Sequence, residues 1–153
     1  MQRGLTVIEL MICISILGIL ASEAILTLGQ SLAQQEMIGA SLQLAGDIRY
    51  LQQLAVNAGS ETTSSILLFT YDEPYGYMIT SNTKVIKRII FPPSIKLYGP
   101  YSPIGFGLSG APLSGAQTIG LQSSKLKTWK YVILAPVTGR VRISDTLPLR
   151  PEE

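Results

Sequence analysis

The residues best suited to chemistry lie at the start of the chain, where one carboxylate stands among apolar side chains. The sequence opens Met1-Gln2-Arg3-Gly4-Leu5-Thr6-Val7-Ile8-Glu9-Leu10, and no charged residue occurs from Leu10 to Ser22. An ionised group in lipid or in a protein interior costs several kcal/mol unless an opposite charge pairs with it. Glu9 is therefore a candidate functional residue, and the chemistry it offers is pairing with a cation.

The segment around Glu9 is long enough to cross a membrane. Residues 5–28 form a run of 24 residues that only Glu9 and Glu23 interrupt, and a transmembrane helix needs about 20 apolar residues. Arg3 precedes this run, and basic residues favour the cytoplasmic side. The sequence thus predicts a single-pass anchor in the inner (cytoplasmic) membrane, in contact with its lipid, with the rest of the chain outside the cytoplasm.

A conventional signal peptide is an alternative interpretation of the same segment. It would consist of a basic start, an apolar centre and a cleavage site near Ser22 and Ala24, and its removal would release a soluble secreted β-rich domain. Glu9 argues against this alternative because its charge interrupts the apolar centre.

Composition excludes the commonest kinds of catalytic and metal site. The chain has no histidine, and its single cysteine, Cys13, lies inside the apolar segment. The usual zinc sites and Ser–His or Cys–His catalysis are therefore not available. Asp72 and Glu73 are adjacent carboxylates, but they lie in a predicted turn. We predict no enzyme activity, no metal site and no cofactor.

Positive charge is concentrated in the second half of the chain. Residues 1–83 carry two basic and seven acidic side chains, a net charge of −5. Residues 84–150 carry ten basic side chains against Asp145 alone, a net charge of +9. A basic module of this kind attracts acidic partners or nucleic acid, although basic residues on strands often only solvate the outer face of a sheet.

Two arginines near the C-terminus are candidate phosphate ligands. Arg140 and Arg142 alternate along a predicted strand and so project to one face. Trp129 and Tyr131 could stack on bases or could be sheet residues that cover the core. The candidate DNA-binding residues, called the basic strip below, are Arg140, Arg142, Lys130, Lys127 and Lys125.

Hydrophobic periodicity divides the chain into a long helix and a strand-rich part. Apolar residues recur at three- and four-residue steps after the anchor and predict a helix from Leu5 to Asn57 that ends near Gly59. We expect an irregular loop between Gly99 and Gly115. The residues of the predicted helical stripe are Ile38, Leu42, Ala45, Ile48, Leu51 or Gln52, and Ala55; the β-rich runs are 65–71, 75–81, 85–91, 95–98, 116–123, 130–134 and 140–144.

The N-terminus resembles that of type IV prepilins and of the pseudopilins of type II secretion. The resemblance implies that prepilin peptidase cuts between Gly4 and Leu5, that Leu5 becomes N-methylated, and that Glu9 is the fifth residue of the mature chain. It also implies that Glu9 pairs with the new α-amino group of Leu5, on a neighbouring subunit, when the helices bundle in the filament core. Thr6, beside the cut, is expected to help position that end.

Later segments are similar to the H-type minor pseudopilins and the FimT-type minor pilins. They include Asp47–Ala55, Ile89–Pro92, Phe106–Gly110 and Thr138–Ile143. The resemblance implies an α+β fold in which a long N-terminal helix packs on a β-sandwich-like domain of antiparallel sheets. The expected organisation is a leader at 1–4, a transmembrane and filament-core helix at 5–28, the soluble half of the helix at 29–58 and a β-rich domain at 59–153.

The function implied by the resemblance is structural. The chain is expected to help initiate or cap a type II secretion pseudopilus or a type IV pilus, with other major and minor pilins or pseudopilins as partners. It would begin in the inner membrane and end in a periplasmic or extracellular filament. An alternative role, binding DNA during uptake by competent bacteria, follows from the FimT-type resemblance and the basic strip.

Overall fold

One long helix packs against two antiparallel sheets, which confirms the predicted α+β fold. The computed structural model describes residues 6–58 and 65–148, without the side chains of residues 24–26. The leader, Leu5 and the predicted helix end at Gly59 lie outside the described residues. The elements are α1 (Val7–Asn57), β1 (Ser65–Thr70), β2 (Gly76–Ser81), β3 (Lys84–Ile90), β4 (Ile95–Tyr98), β5 (Ile104–Gly105), β6 (Gln117–Ser123), β7 (Trp129–Leu134) and β8 (Val141–Ser144).

Helix α1 has two halves that differ in their surroundings. Its 51 residues make it about 77 Å long at 1.5 Å per residue. The described side chains from residue 7 to residue 32 are all exposed, and the first buried one is Ala33. The apolar half therefore extends beyond the domain, and by length and composition it could cross a membrane.

The buried face of α1 differs in part from the predicted stripe. Ala45, Ile48, Leu51 and Ala55 are buried as predicted, but Ile38 and Leu42 are 39% and 58% exposed. Met37 and Leu44 are buried instead. Each residue step turns a helix by about 100°, so Ile38 is carried away from the face of Met37, and Leu42 lies almost opposite Leu44.

The eight strands form two four-stranded sheets. The first sheet has the order β3-β2-β1-β5 and the second sheet has the order β4-β6-β7-β8. All the strand pairs are antiparallel. Alternate residues face inwards, and α1 contacts strands of both sheets. The fully buried core side chains include Leu67 and Ile79 from the first sheet and Ile119, Leu121 and Val132 from the second.

The segment between Gly99 and Gly115 is more ordered than the predicted irregular loop. It contains β5, which pairs with β1 through Ile66↔Gly105 and Leu67↔Ile104. Ile104 is fully buried and Phe106 is nearly so. Two apolar side chains on alternate residues are enough to hold this segment against the core, although so short a run carries a weak strand signal.

Candidate functional site

The first turn of α1 brings together two of the predicted assembly residues. Thr6 is the N-cap, with extended backbone angles of −77° and 150°. The Glu9 N–H donates to Thr6 Oγ1 at 3.3 Å, and the Thr6 N–H donates to Glu9 Oε2 at 3.5 Å. This reciprocal capping box satisfies two N–H groups that a helix start leaves without partners. It also holds the Glu9 carboxylate beside the positive end of the helix dipole.

The link between Thr6 and Glu9 is an interaction that sequence analysis missed. The spacing of threonine and glutamate, three residues apart before an apolar run, is the usual sign of a capping box. Glu9 therefore has a local role in starting α1 besides any pairing with a cation. Gly4 and Leu5, the predicted cleavage pair, lie outside the described residues.

A second candidate surface is the outer face of the second sheet, the face turned away from the core. The Tyr98 and Trp129 rings lie 5.0 Å apart, and the Trp129 and Tyr131 rings stack 5.9 Å apart with an angle of 4° between them. A side chain at Gly120 would come within 3.4 Å of the Trp129 ring. Trp129 therefore lies across this glycine. The three rings form an aromatic surface on the outer face of the sheet, in which Tyr98 is exposed and Trp129 and Tyr131 are partly buried.

The structure separates the residues of the basic strip. Arg142 lies opposite Ile133 on the outer face, and Arg140, two residues earlier in the same ladder, projects to that face as well. Lys130 lies on the core side, opposite Leu121, where it pairs with Asp145. Lys125 and Lys127 are exposed in the β6–β7 turn, about 20 Å from Arg140 along the six residues of β7.

A buried carboxylate on α1 is a further feature that sequence analysis missed. Asp47 accepts hydrogen bonds from the Tyr77 hydroxyl and from Lys87 Nζ, both at 2.6 Å. Burial, together with the hydrogen bond to Asp47, raises the pKa of Tyr77 above its usual value. These contacts fasten the helix to β2 and β3. The available signal was an acidic residue within the apolar stripe, where only a paired carboxylate is tolerated.

Comparison with known proteins identifies the N-terminus. Residues 1–22 match the family described as the prokaryotic N-terminal methylation motif. The motif supports a type IV pilin-like protein. No curated protein and no solved structure matches the chain.

The pilin-like N-terminus has consequences for processing and location. It implies cleavage by prepilin peptidase and assembly with other pilins. The apolar half of α1 fits a protein anchored in the inner membrane. Pilin-like proteins are structural rather than catalytic, and among the described residues no three acidic, histidine or cysteine side chains are grouped to hold a metal ion.

Proposed function

We propose that the chain is a minor subunit of a type II secretion pseudopilus or a type IV pilus and helps to initiate or cap that filament. The observation that carries this proposal is the methylation motif at residues 1–22, which runs directly into a helix with no buried side chain among those described before Ala33. An apolar helical surface of that length needs lipid or other helices around it. Lipid would surround this helix in the membrane, and helices of neighbouring subunits would surround it in the filament.

The proposed chemistry centres on Glu9. Cleavage between Gly4 and Leu5 creates an α-amino group one residue before Thr6, and this group becomes N-methylated. In the described chain the Glu9 carboxylate accepts only from the backbone and hydroxyl of Thr6. Inside a filament it would lie in a low-dielectric environment, where an unpaired charge costs several kcal/mol. The ammonium of Leu5 on a neighbouring subunit would neutralise it, so subunits in the correct register would be favoured.

The role of a minor subunit, rather than the main repeating one, rests on the resemblance of the later segments to H-type and FimT-type proteins. A subunit present in few copies can start or cap a filament without contacting copies of itself on every side.

The test compares processing and assembly in wild type, Glu9→Gln and Glu23→Gln. We expect mass spectrometry of the protein from its host to show a chain that begins at N-methylated Leu5. We also expect Glu9→Gln to be cleaved but largely absent from sheared filaments, while Glu23→Gln, which removes the other acid of the apolar segment, assembles more fully. A native chain beginning at Met1 would contradict the proposal, and one beginning near residue 25 would favour a conventional signal peptide.

Nucleic-acid binding is a second candidate function, favoured by the outer face of the second sheet. That face carries Lys96, Arg140 and Arg142 beside the aromatic surface, and its described strand residues include no carboxylate. Cations bind the phosphate backbone and exposed rings stack on bases. The placement of Lys130 on the other side of the sheet removes it from this surface.

The nucleic-acid candidate is tested by gel shift of the full chain in detergent with duplex DNA. We expect a complex that weakens steeply with added salt, and a double variant, Arg140→Ala with Arg142→Ala, that lowers the magnitude of the salt slope by about 2. Lys84→Ala, an exposed lysine on the first sheet, is the matched control and should bind like wild type. A shift that does not depend on salt, or on the two arginines, would remove this candidate.

A further inference from the structure

Strand β3 forms one edge of the first sheet. Phe91 N–H donates to Tyr75 O at 2.9 Å, and hydrogen-bonded pairs alternate along an antiparallel ladder. The register Gly76↔Ile90 and Met78↔Arg88 therefore leaves the N–H and C=O groups of Arg88 and Ile90 pointing away from β2. An extended chain could hydrogen bond to all four groups.

The other described sheet edges offer less to a partner strand. β5 has only two residues and β4 only four. On β8 the outward carbonyl of Val141 already accepts a hydrogen bond from Arg49 of α1 at 3.0 Å. The seven residues of β3 make it the longest edge strand in the described part of the sheets.

The side chains of β3 are unusually apolar for an exposed edge. Val85, Ile86 and Ile90 are 46%, 42% and 60% exposed. A cleft of about 410 Å³ continues from the end of the strand. Its lining is mainly apolar and aromatic, with Tyr75, Phe91 and Pro92 among its residues, and Glu73 is the one charged residue among the described residues that line it. Exposed apolar surface of this kind, beside free backbone groups, is typical of an interaction site.

The charges of β3 determine which partner fits. β3 carries Lys84, Lys87 and Arg88 and no acidic residue. Lys87 is neutralised by Asp47, whereas Lys84 and Arg88 are exposed and form no ion pair within the described residues. A second copy of β3 would bring more cations to this edge and no carboxylate to pair with Lys84 or Arg88. A partner strand with carboxylates opposite these positions would be stabilised.

We propose that the edge of β3 binds an extended segment of another protein, rich in apolar and acidic residues, by strand addition. Val85, Arg88 and Ile90 lie opposite alternate residues of β2 and so share one face of the sheet, whereas Lys84 lies on the other face. On the shared face, apolar residues of the segment would cover Val85 and Ile90 and a carboxylate would pair with Arg88. A carboxylate on the other face would pair with Lys84. This interaction goes beyond the proposed filament role and does not depend on N-terminal processing, so the two proposals fail separately.

The test measures fluorescence anisotropy of a short labelled peptide in which valine and glutamate alternate along one face and threonine occupies the other, added to the full chain in detergent. We expect saturable binding, and roughly tenfold weaker binding of the matching valine–lysine peptide. Arg88→Glu should weaken binding of the glutamate peptide roughly fivefold. Lys125→Glu makes the same charge change in an exposed turn of the second sheet and should leave binding unchanged.

The backbone contribution is tested separately. Ile90→Pro removes an N–H that points away from β2, so the internal ladder is retained, and we expect roughly tenfold weaker binding. N-methylation of alternate amides of the peptide should have the same effect without any change in the protein. Equal binding of acidic and basic peptides, no effect of the methylated peptide, or self-association of the chain that Ile90→Pro abolishes would each overturn the proposal.

Discussion

At the residue scale, Asp47 shows how the fold accommodates a charge in its interior. The carboxylate is only 7% exposed, and each of its oxygens accepts one strong hydrogen bond, from Tyr77 and from Lys87. A buried acid with both oxygens satisfied joins elements that a purely apolar contact would leave free to slide. The cluster therefore fixes where α1 sits on the first sheet.

The raised pKa of Tyr77 predicts a specific response to alkaline pH. Below pH 10 tyrosine is protonated in both the folded and the unfolded chain, so the hydrogen bond contributes fully to stability. Above pH 10 the unfolded chain ionises first, and stability should fall by up to about 1.4 kcal/mol per pH unit from this residue. We expect Tyr77→Phe to be about 1–3 kcal/mol less stable at pH 7 but to lose less stability between pH 8 and pH 11. Denaturant titrations check this, with Tyr50→Phe on the exposed helix surface as control; an unchanged alkaline slope in Tyr77→Phe would contradict it.

Gly139 marks the limit of what sequence could predict at this scale. Residue type alone indicates a turn at Thr138-Gly139, and Gly139 has the left-handed φ of +65° that favours glycine. A second reason for glycine at this position cannot be read from the sequence: a Cβ there would collide with the carbonyl oxygen of Gly110 and with the side chain of Gln52. Gln52 binds the Gly110 carbonyl at 2.7 Å. Three segments far apart in sequence meet at this point, and local patterns carry no information about such meetings.

At the scale of elements, α1 was predicted accurately in extent and only partly in orientation. The period of the apolar residues gives a helix, but the soluble half has apolar residues on more than one side, and Ile38 and Leu42 compete with Met37 and Leu44 for the core. Which of these residues face the core depends on the shape of the sheets against which the helix packs, and the helix sequence does not encode that shape. The bounds of the described strands other than β5 were predicted within one residue because alternation and turn residues are local signals. Strand β5 lies in the segment that was predicted as an irregular loop.

Two leucines on α1 provide a matched test of its orientation. Leu44 is fully buried, whereas Leu42 is 58% exposed. We expect Leu44→Ala to lower the free energy of unfolding by about 2–5 kcal/mol because it leaves a cavity, and Leu42→Ala to change it by less than about 0.5 kcal/mol. Chemical denaturation followed by Trp129 fluorescence measures both. Comparable losses in the two variants would mean that the helix face is assigned wrongly.

At the scale of the whole molecule, we expect the stability of the domain to be independent of the apolar half of α1. No described side chain before Ala33 is buried, whereas Ala33, Met37 and Ala40 are 1%, 2% and 6% exposed. The apolar half therefore adds length for the membrane or filament without adding to the core.

This separation can be measured with two fragments of the chain. A fragment of residues 29–153 keeps every α1 residue whose described side chain is buried. We therefore expect it to fold without detergent and to unfold at the same denaturant concentration as the full chain in detergent. A fragment of residues 41–153 loses Met37 and the hydrogen bond from Ser94 to Glu36, and we expect it to be less stable by at least about 2–5 kcal/mol. The comparison is informative because both fragments lack the apolar segment and differ only in residues 29–40, which include the buried Ala33, Met37 and Ala40. If the longer fragment were as unstable as the shorter one, residues 7–28 would have to stabilise the domain, and the division of the molecule into an anchor and an independent domain would be wrong.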